Sequence, residues 1–522
     1  LRVTGELNAP YCEYGRGSYF VSHQEELGDI TWWRQKPVWI MVFLGFSAGV
    51  PLLLIFSSLS LWLREAGVSR AEVTYFSWAA LGFSFKFVWA PLVDKLPLPI
   101  LSAAMGRRRS WLLLAQLGVI AAICMMALTD PRQQLQMMAV AAVLLGFSAA
   151  TQDVVIDAFR IESADAKLQA LLSSTYIAGY RIGMIAAGAG ALYLAQFFGS
   201  TSDVYHYDAW RNTYLCMAAV MGLGVLTTLI IAEPVSASSP YTYPAQDYLR
   251  FFFGFAFSIA AFVAVLFLLP ASPDWFTGME QYLLRFLYGA LSLTLAVAAG
   301  LLVFRALTGL GFVNATLVSE SYTQPISEFI KRYGSLAVWV LLLIGFYRVS
   351  DIVLGVIANV FYQDMGYSKD EIASVTKIFG VLMTIVGSFL GGFLTLKLGV
   401  MRVLMLGAIL VSLTNLMFMW LAGGEPDIVA LTLVIAADNL SGGVAVAAFV
   451  AWLSSLTNIS FTATQYAMFS SIMTLFPKLL GGYSGTVVES VGYSSFFLLA
   501  SAIGLPVIAL IWYLNRRLET SA

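Results

Sequence analysis

Charge is what this sequence has least of. Among 522 residues only 11% are Asp, Glu, Lys or Arg, while 59% are hydrophobic. Soluble globular chains carry roughly 25% charged residues, so an ordinary water-soluble enzyme is excluded. The net charge of −1 provides no basic field to gather nucleic acid, and none of the nucleic-acid-binding motifs is present. Cysteine is equally scarce. Cys12, Cys124 and Cys216 lie far apart, two of them inside apolar runs, which is neither a disulfide framework nor metal-ligand spacing. No metal or cofactor is therefore expected. The two histidines, His23 and His206, fall outside the long apolar segments, so proton chemistry inside a membrane would have to use carboxylates. Residues 1–37 also lack the basic region and apolar core of a signal peptide and are expected to form a cytoplasmic tail. The chain begins at Leu1 rather than Met, so part of the natural N-terminus is expected to precede it.

What is abundant is apolar sequence in membrane-sized blocks. A bilayer core takes about 20 mostly apolar helical residues. Such runs recur at 38–62, 71–94, 110–129, 135–159, 168–195 and 212–232. After a polar stretch with Pro234, Pro240 and Pro244, two more follow at 248–271 and 284–304. Six others come at 335–362, 371–396, 401–422, 427–454, 463–486 and 490–514. The pattern predicts an all-α polytopic membrane protein of about fourteen spans. Its parts are a tail (1–37), a six-helix bundle (38–232), a linker with two extra spans (233–334), a second six-helix bundle (335–515) and a short cytoplasmic tail (516–522). Within the linker, Pro325–Tyr333 has Pro at a helix start and apolar residues at 326, 329, 330 and 333, the pattern of a short interfacial helix. With the N-terminus inside, 18 Lys and Arg fall on the inner side and 6 on the outer, which places both termini in the cytoplasm.

The two bundles echo each other. Pro91-Leu-Val-Asp94-Lys95 followed by Gly106-Arg-Arg-Arg109 occupies the loop after the second span. Gly391-Gly-Phe-Leu-Thr-Leu-Lys397-Leu-Gly399-Val-Met-Arg402 occupies the same place in the second bundle. The latter resembles the G-x-L-x-x-[DKR]-x-G-x-x-R loop of the major facilitator superfamily, which implies a cytoplasmic gate built from Asp94, Arg107, Arg108, Arg109, Lys397 and Arg402. A second echo sits in the fourth spans, Ala149-Ala-Thr-Gln152-Asp153 against Ala436-Ala-Asp438-Asn439. Parallel six-helix halves with a site between them are the major facilitator plan.

Nine ionisable residues fall well inside predicted spans: Lys86, Asp153, Asp157, Arg181, Arg348, Asp351, Lys377, Asp438 and Lys478. Each costs about 2.5–3.5 kcal/mol at a lipid-facing helix centre. Nine left unpaired would cost roughly 20–30 kcal/mol, more than the stability of a typical fold. They must face one another or water. For any single pair the simpler role is glue between helices; five bases and four acids together point to a wet central cavity. Asp153 and Asp157 share a helix face, as do Arg348 and Asp351. Two carboxylates one turn apart repel when both are ionised, so one is suited to carry a proton. Asp157 lies three residues before Arg160 and is the ion-paired member, leaving Asp153 as first candidate for the coupling proton, with Asp157, Asp351 and Asp438 as the others. The bases Lys86, Arg181, Arg348, Lys377 and Lys478, with Gln152, Tyr180, Tyr347, Asn439 and Gln465, are candidate substrate contacts. Gly45/Gly49 and Gly387/Gly391, four residues apart, are read as sites of close helix packing.

Seven segments extend the resemblance to the AmpG-type muropeptide permeases within that superfamily. They begin at Leu44 (LGFSAGVP), Phe85 (FKFVWAPLVD), Gly106 (GRRRSW), Thr151 (TQDVVIDA), Gly179 (GYRIGM), Asp438 (DNLSGG) and Phe461 (FTATQ). The resemblance implies a proton-coupled symporter of the bacterial inner membrane. Such a protein imports 1,6-anhydro-muropeptides, GlcNAc-anhydroMurNAc-peptides released from peptidoglycan, for recycling, with β-lactamase induction and antibiotic resistance as downstream effects. It implies a monomer whose partners are substrate, protons and lipid. Relatives carry other anionic solutes such as acetyl-CoA, and that alternative stays open, as does transport of a peptide. The extra helix pair between the halves and the Tyr-rich tail depart from the family pattern. A channel would need rings of like residues from symmetric subunits. A membrane enzyme would need a convergent nucleophile and base, or a metal cluster, and no such cluster is present. An Asp-based glycosyl or lipid-sugar transferase is the remaining enzymatic alternative.

Overall fold

The computed structural model describes residues 35–68, 73, 76, 82–165, 168–200, 205–234, 243–269, 281–367, 371–481 and 484–521. Every regular element among them is a helix. In hydrocarbon the backbone has no water to bond, so a spanning segment must satisfy its own N–H and C=O groups, and a helix does so without a partner.

The first half comprises α1 (Lys36–Glu65), the short α2 (Ala90–Lys95), α3 (Arg107–Ala127), α4 (Leu135–Glu162), α5 (Gln169–Phe197) and α6 (Tyr207–Ile230). The inserted pair is α7 (Ala245–Leu268) and α8 (Gln281–Gly309), followed by the linker helix α9 (Gln324–Tyr333). The second half opens with a broken span, α10 (Leu336–Phe346) and α11 (Val349–Asp364). It continues with α12 (Ser374–Leu398), α13 (Val400–Ala422), α14 (Ile428–Leu456), α15 (Thr462–Gly481) and α16 (Ser484–Ser521).

Twelve helices among the described residues are long and apolar enough to cross a membrane. The sequence leads to fourteen, and the two not among the twelve meet each other across the halves. The second expected span, 71–94, lies partly outside the described residues, and its described part is broken into Gly82–Phe85, Lys86–Val88 and α2. The thirteenth, 463–486, corresponds to α15, whose Thr, Gln, Ser, Pro477 and Lys478 lower its apolar content. Both helices lie on the seam between the halves, where one face meets protein rather than lipid. Residues 516–521, where a short tail is expected, continue α16, and residues 1–34 of the N-terminal tail lie outside the described residues.

The packing repeats. In the first half α1 lies on α5, α3 on α4 and on α6; in the second, α11 lies on α15, α13 on α14 and on α16. The halves meet through α5 with α12 and through α15 with α2, a seam that itself obeys the repeat. Close crossings rest on glycine, as the four-residue spacing predicts. A Cβ on Gly45 or Gly49 would run into the carbonyl oxygens of Tyr176 and Tyr180, and one on Gly387 into that of Leu440. Short π-helical turns at Leu54–Ser58 and Ala186–Gly190 interrupt α1 and α5 where the two touch.

Candidate transport pathway and gate

The charged residues of the first half gather around Asp157. Its Oδ2 lies 3.5 Å from Lys86 Nζ, and its Oδ1 accepts from Arg160 at 3.3 Å. The i, i+3 spacing on α4 creates the second contact; the first joins α4 to the broken second span. Arg160 is fully buried and reaches across the seam. It donates to Ser173 Oγ on α5 (3.1 Å) and to Ser454 Oγ on α14 (2.7 Å), and faces the Tyr466 ring on α15 at 5.1 Å. One turn earlier on α4, Asp153 Oδ1 is buried without a hydrogen-bond partner among the described residues, and both amide atoms of Gln152 are in the same position. A bare ionised carboxylate away from water is costly. Tyr180 sits on α5 with its ring 6.0 Å from that of Tyr176, and Arg181 beside it lies 3.9 Å from Met184 Sδ.

Of the corresponding residues of the second half, Asp438 and Asn439 are bonded, while Arg348 Nε is buried without a partner among the described residues. Arg348 donates to Asp351 at 2.5 Å, the break between α10 and α11 falling at Tyr347 and Arg348. Asp438 accepts from Thr414 Oγ1 at 3.1 Å. Asn439 accepts from Thr384 Oγ1 at 2.9 Å and donates to the Ile435 carbonyl at 3.0 Å. Tyr347 turns away from the seam: its hydroxyl donates to the Leu404 carbonyl and its ring stacks on Phe449 at 4.4 Å, inside the core of the second half. Gln465 is likewise engaged elsewhere. Its Nε2 donates to the Pro325 carbonyl (2.8 Å) and Glu328 (2.7 Å), and its Oε1 accepts from Asn458 N (2.7 Å). The side chains of Lys377 and Lys478 lie outside the described residues.

The end carrying the basic loops is shut by a network between the halves. Asp94, at the end of α2, accepts from the backbone N–H of Ala463 (3.1 Å) and Thr464 (2.7 Å) and from the Thr464 hydroxyl (2.6 Å). It thereby caps α15, meeting the unpaired N–H groups and positive dipole of a helix start. Arg108 donates to Asp94 (2.8 Å), to Glu162 at the end of α4 (2.6 Å) and to Thr462 (2.7 Å). Thr462 in turn donates to Glu162. Arg107 donates to the Asp94 carbonyl, and Arg109 to the carbonyls of Thr228 and Leu229. Glu233 accepts from the backbone N–H groups of Arg108 and Arg109, closing the start of α3. Lys397 and Arg402 stand outside this network: Lys397 lies over the Phe393 ring at 4.5 Å, and both are exposed.

Sequence reading did not single out Glu162, Thr462, Thr464 or Glu233. The signal available was the Thr-Ala-Thr run that opens α15, a helix-start pattern.

Comparison with known proteins decides the family. The chain is 31% identical over 479 residues to a putative transporter AmpG 4 of Rickettsia felis, covering 91% of this chain and 96% of that protein. The chain belongs to the AmpG family. An anhydromuropeptide permease of Escherichia coli is 27% identical, with 92% of this chain and 80% of that protein covered. A family model described as Acetyl-coenzyme A transporter 1 matches residues 37–197 of the AmpG-type chain. Among solved structures, the major facilitator proton:xylose symporter XylE aligns with a TM-score of 0.60 at 13% identity, covering 91% of this chain and 94% of that one. The Escherichia coli fucose:proton symporter FucP aligns with a TM-score of 0.57 at 11% identity, covering 91% and 98%. The fold is therefore the major facilitator fold, and this AmpG-type chain is a multi-pass membrane transporter rather than an enzyme.

Proposed function

We propose that this chain imports 1,6-anhydro-muropeptides from periplasm to cytoplasm, with protons moving down their gradient, for peptidoglycan recycling. The reading rests on one observation above others. A buried carboxylate with one unpaired oxygen among the described residues, Asp153, lies one turn from the Lys86–Asp157–Arg160 cluster, at a seam between two repeated halves shut at one end by Asp94 and Arg108. A proton on Asp153 leaves the cluster with an excess of positive charge, which an anionic substrate can balance. That linkage is what a symporter of an anionic glycopeptide needs. Arg181 and Arg348 supply further positive charge for its carboxylates, and Tyr180 an aromatic face for a sugar ring. Alternating access then opens the basic end after substrate and proton are loaded. The relatives' names supply the substrate class.

In this reading the protein sits in the inner membrane as a monomer, with both termini cytoplasmic and its substrate, protons and lipid as partners. β-Lactamase induction follows indirectly from the muropeptides delivered. The test is uptake of labelled GlcNAc-anhydroMurNAc-tripeptide into vesicles with an imposed proton gradient. Accumulation abolished by an uncoupler is the expected result; chemical conversion without accumulation would overturn the reading. The family model over residues 37–197 favours one second reading, an acetyl-CoA-like anion. Excess acetyl-CoA should leave muropeptide uptake unchanged; competition with no muropeptide accumulation favours that substrate instead.

A further inference from the structure

Among the described residues, no side chain of the insertion 233–334 bonds to the cluster around Asp157, and its two long helices pack mainly on each other. Over their most apolar stretches only 11% of α7 and 6% of α8 is buried, against 33% to 72% in the other spanning helices. The segment after them is different. Ala315–Tyr333 lies across the basic end and holds both halves at once.

On the first-half side, Glu320 meets Lys95 at 3.4 Å and accepts from the Tyr243 hydroxyl at 2.7 Å. The Tyr322 hydroxyl donates to the Val88 carbonyl at 3.1 Å. Phe251 of α7 and Phe304 of α8 pack on the Tyr322 ring at 6.3 and 5.9 Å, and Asn314 donates to Asp247 at 2.9 Å. The hairpin thus anchors the segment at the end of the broken second span. On the second-half side, Glu328 accepts from Asn458 (3.1 Å) and Gln465 (2.7 Å), and Arg332 donates to the Leu456 carbonyl (2.7 Å). Phe329 is buried against Phe469 at 5.2 Å.

We propose that this segment is a strap that holds the basic end closed, so that the inserted hairpin and linker take part in gating rather than merely joining the halves. The residues gripped are neighbours of the lock itself. Lys95 follows Asp94, and Gln465 follows Thr464, so separating Asp94 from the start of α15 pulls the two grips apart. A segment largely helical between the grips cannot stretch to follow, because a helix advances only about 1.5 Å per residue. One grip must let go. Glu320 and Lys95 are both partly exposed and their contact is long, whereas Gln465 and Phe329 on the other side are buried. Only Gly334 and Ser335 separate α9 from α10. The strap therefore travels with the second half and releases the first.

The experiment needs no substrate and so stands apart from the muropeptide reading. Spin labels are placed at Ser163→Cys and Ile459→Cys, on opposite halves at the basic end, in a chain freed of Cys12, Cys124 and Cys216. Distances are measured in lipid nanodiscs on monodisperse protein. Lys95→Glu alone and Glu320→Lys alone should each raise the long-distance population about fivefold, the range of a partly exposed ion pair. The Lys95→Glu, Glu320→Lys double variant should restore the original distribution, which a merely folded linker would not do. Asp208→Asn, which breaks a similar pair with Arg211 remote from the strap, should change nothing. The proposal fails if Asp94→Asn shifts the distribution while the Lys95 and Glu320 variants do not, or if the swapped pair stays open.

Discussion

Gly106 and Gly399 occupy the same place in the two halves, each immediately before a long helix and each at positive φ, 87° and 85°. Their ψ values, 167° and 154°, put both in a region that residues with a Cβ rarely adopt. The turns are thus built alike, yet the basic residues beside them behave differently. Arg108 is drawn into the closure of the basic end and Arg107 and Arg109 bond carbonyls of their own half beside it, whereas Arg402 is exposed and Lys397 rests on its own helix's Phe393. The same division runs along the fourth span of each half. Asp153 and Gln152 carry unpaired buried atoms, while Asp438 and Asn439 are bonded to Thr414 and Thr384. A repeated backbone therefore does not carry a repeated role. The first half holds the lock and the poised carboxylate, and the second supplies the surfaces they close on.

That division can be broken by substitution. The largest effect is expected from Arg108→Ala, which leaves Asp94 and Glu162 buried without their shared cation. It should cost about 3–5 kcal/mol of stability, read from the thermal midpoint in detergent, and should abolish uptake. An equal loss in Arg402→Ala would show the two loops to be equivalent after all. Next comes Asp153→Asn, which should abolish gradient-driven accumulation while leaving exchange of substrate across vesicles intact. Asp438→Asn should retain a substantial part of the accumulation, because Thr414 already serves that position; full gradient dependence in Asp153→Asn would sink the assignment. The glycines sharpen the contrast. Gly399→Ala should cost about 1–3 kcal/mol from backbone strain alone. Gly106→Ala should cost more, since its new Cβ falls on the Glu233 side chain while nothing lies near Gly399. Thermal midpoints of the two variants make the comparison. The smallest effect, within about 0.5 kcal/mol, belongs to Arg402→Ala, a surface change with no bonded partner to strand among the described residues.

The architecture was legible because lipid imposes length: a span needs its run of apolar residues, and six such runs on either side of two more can be counted. The Gly45/Gly49 spacing was legible for a similar reason, being local to one helix. Asp157–Arg160 and Arg348–Asp351 could be read at i, i+3. What could not be read was any contact whose partners are distant in the chain. Lys86 and Asp157 are 71 residues apart, and Asp94 meets Ala463 and Thr464 across 369 and 370. Tyr347 and Gln465 show a second limit. In helices apolar nearly all round, no polar stripe marks the face toward the pathway, and these two turn instead to the second half's core and to the linker. The thirteenth expected span, whose polar residues lower its apolar content, lies on the seam, where protein has replaced lipid as the solvent.

The glycine seam between α1 and α5 has a mechanical meaning. Where backbone rests on backbone at Gly45, Gly49, Gly179 and Gly183, no side chain is left to act as a bearing, so neither helix can slide past the other. The pair behaves as one beam, and α12 with α14 forms a second through Gly387, Gly391 and Gly443. Since α5 and α12 also touch each other, the two beams share a fulcrum. Movement is then channelled into rocking about that line, and the molecule has stiffness where transport needs leverage and compliance only where its contacts can be broken one at a time.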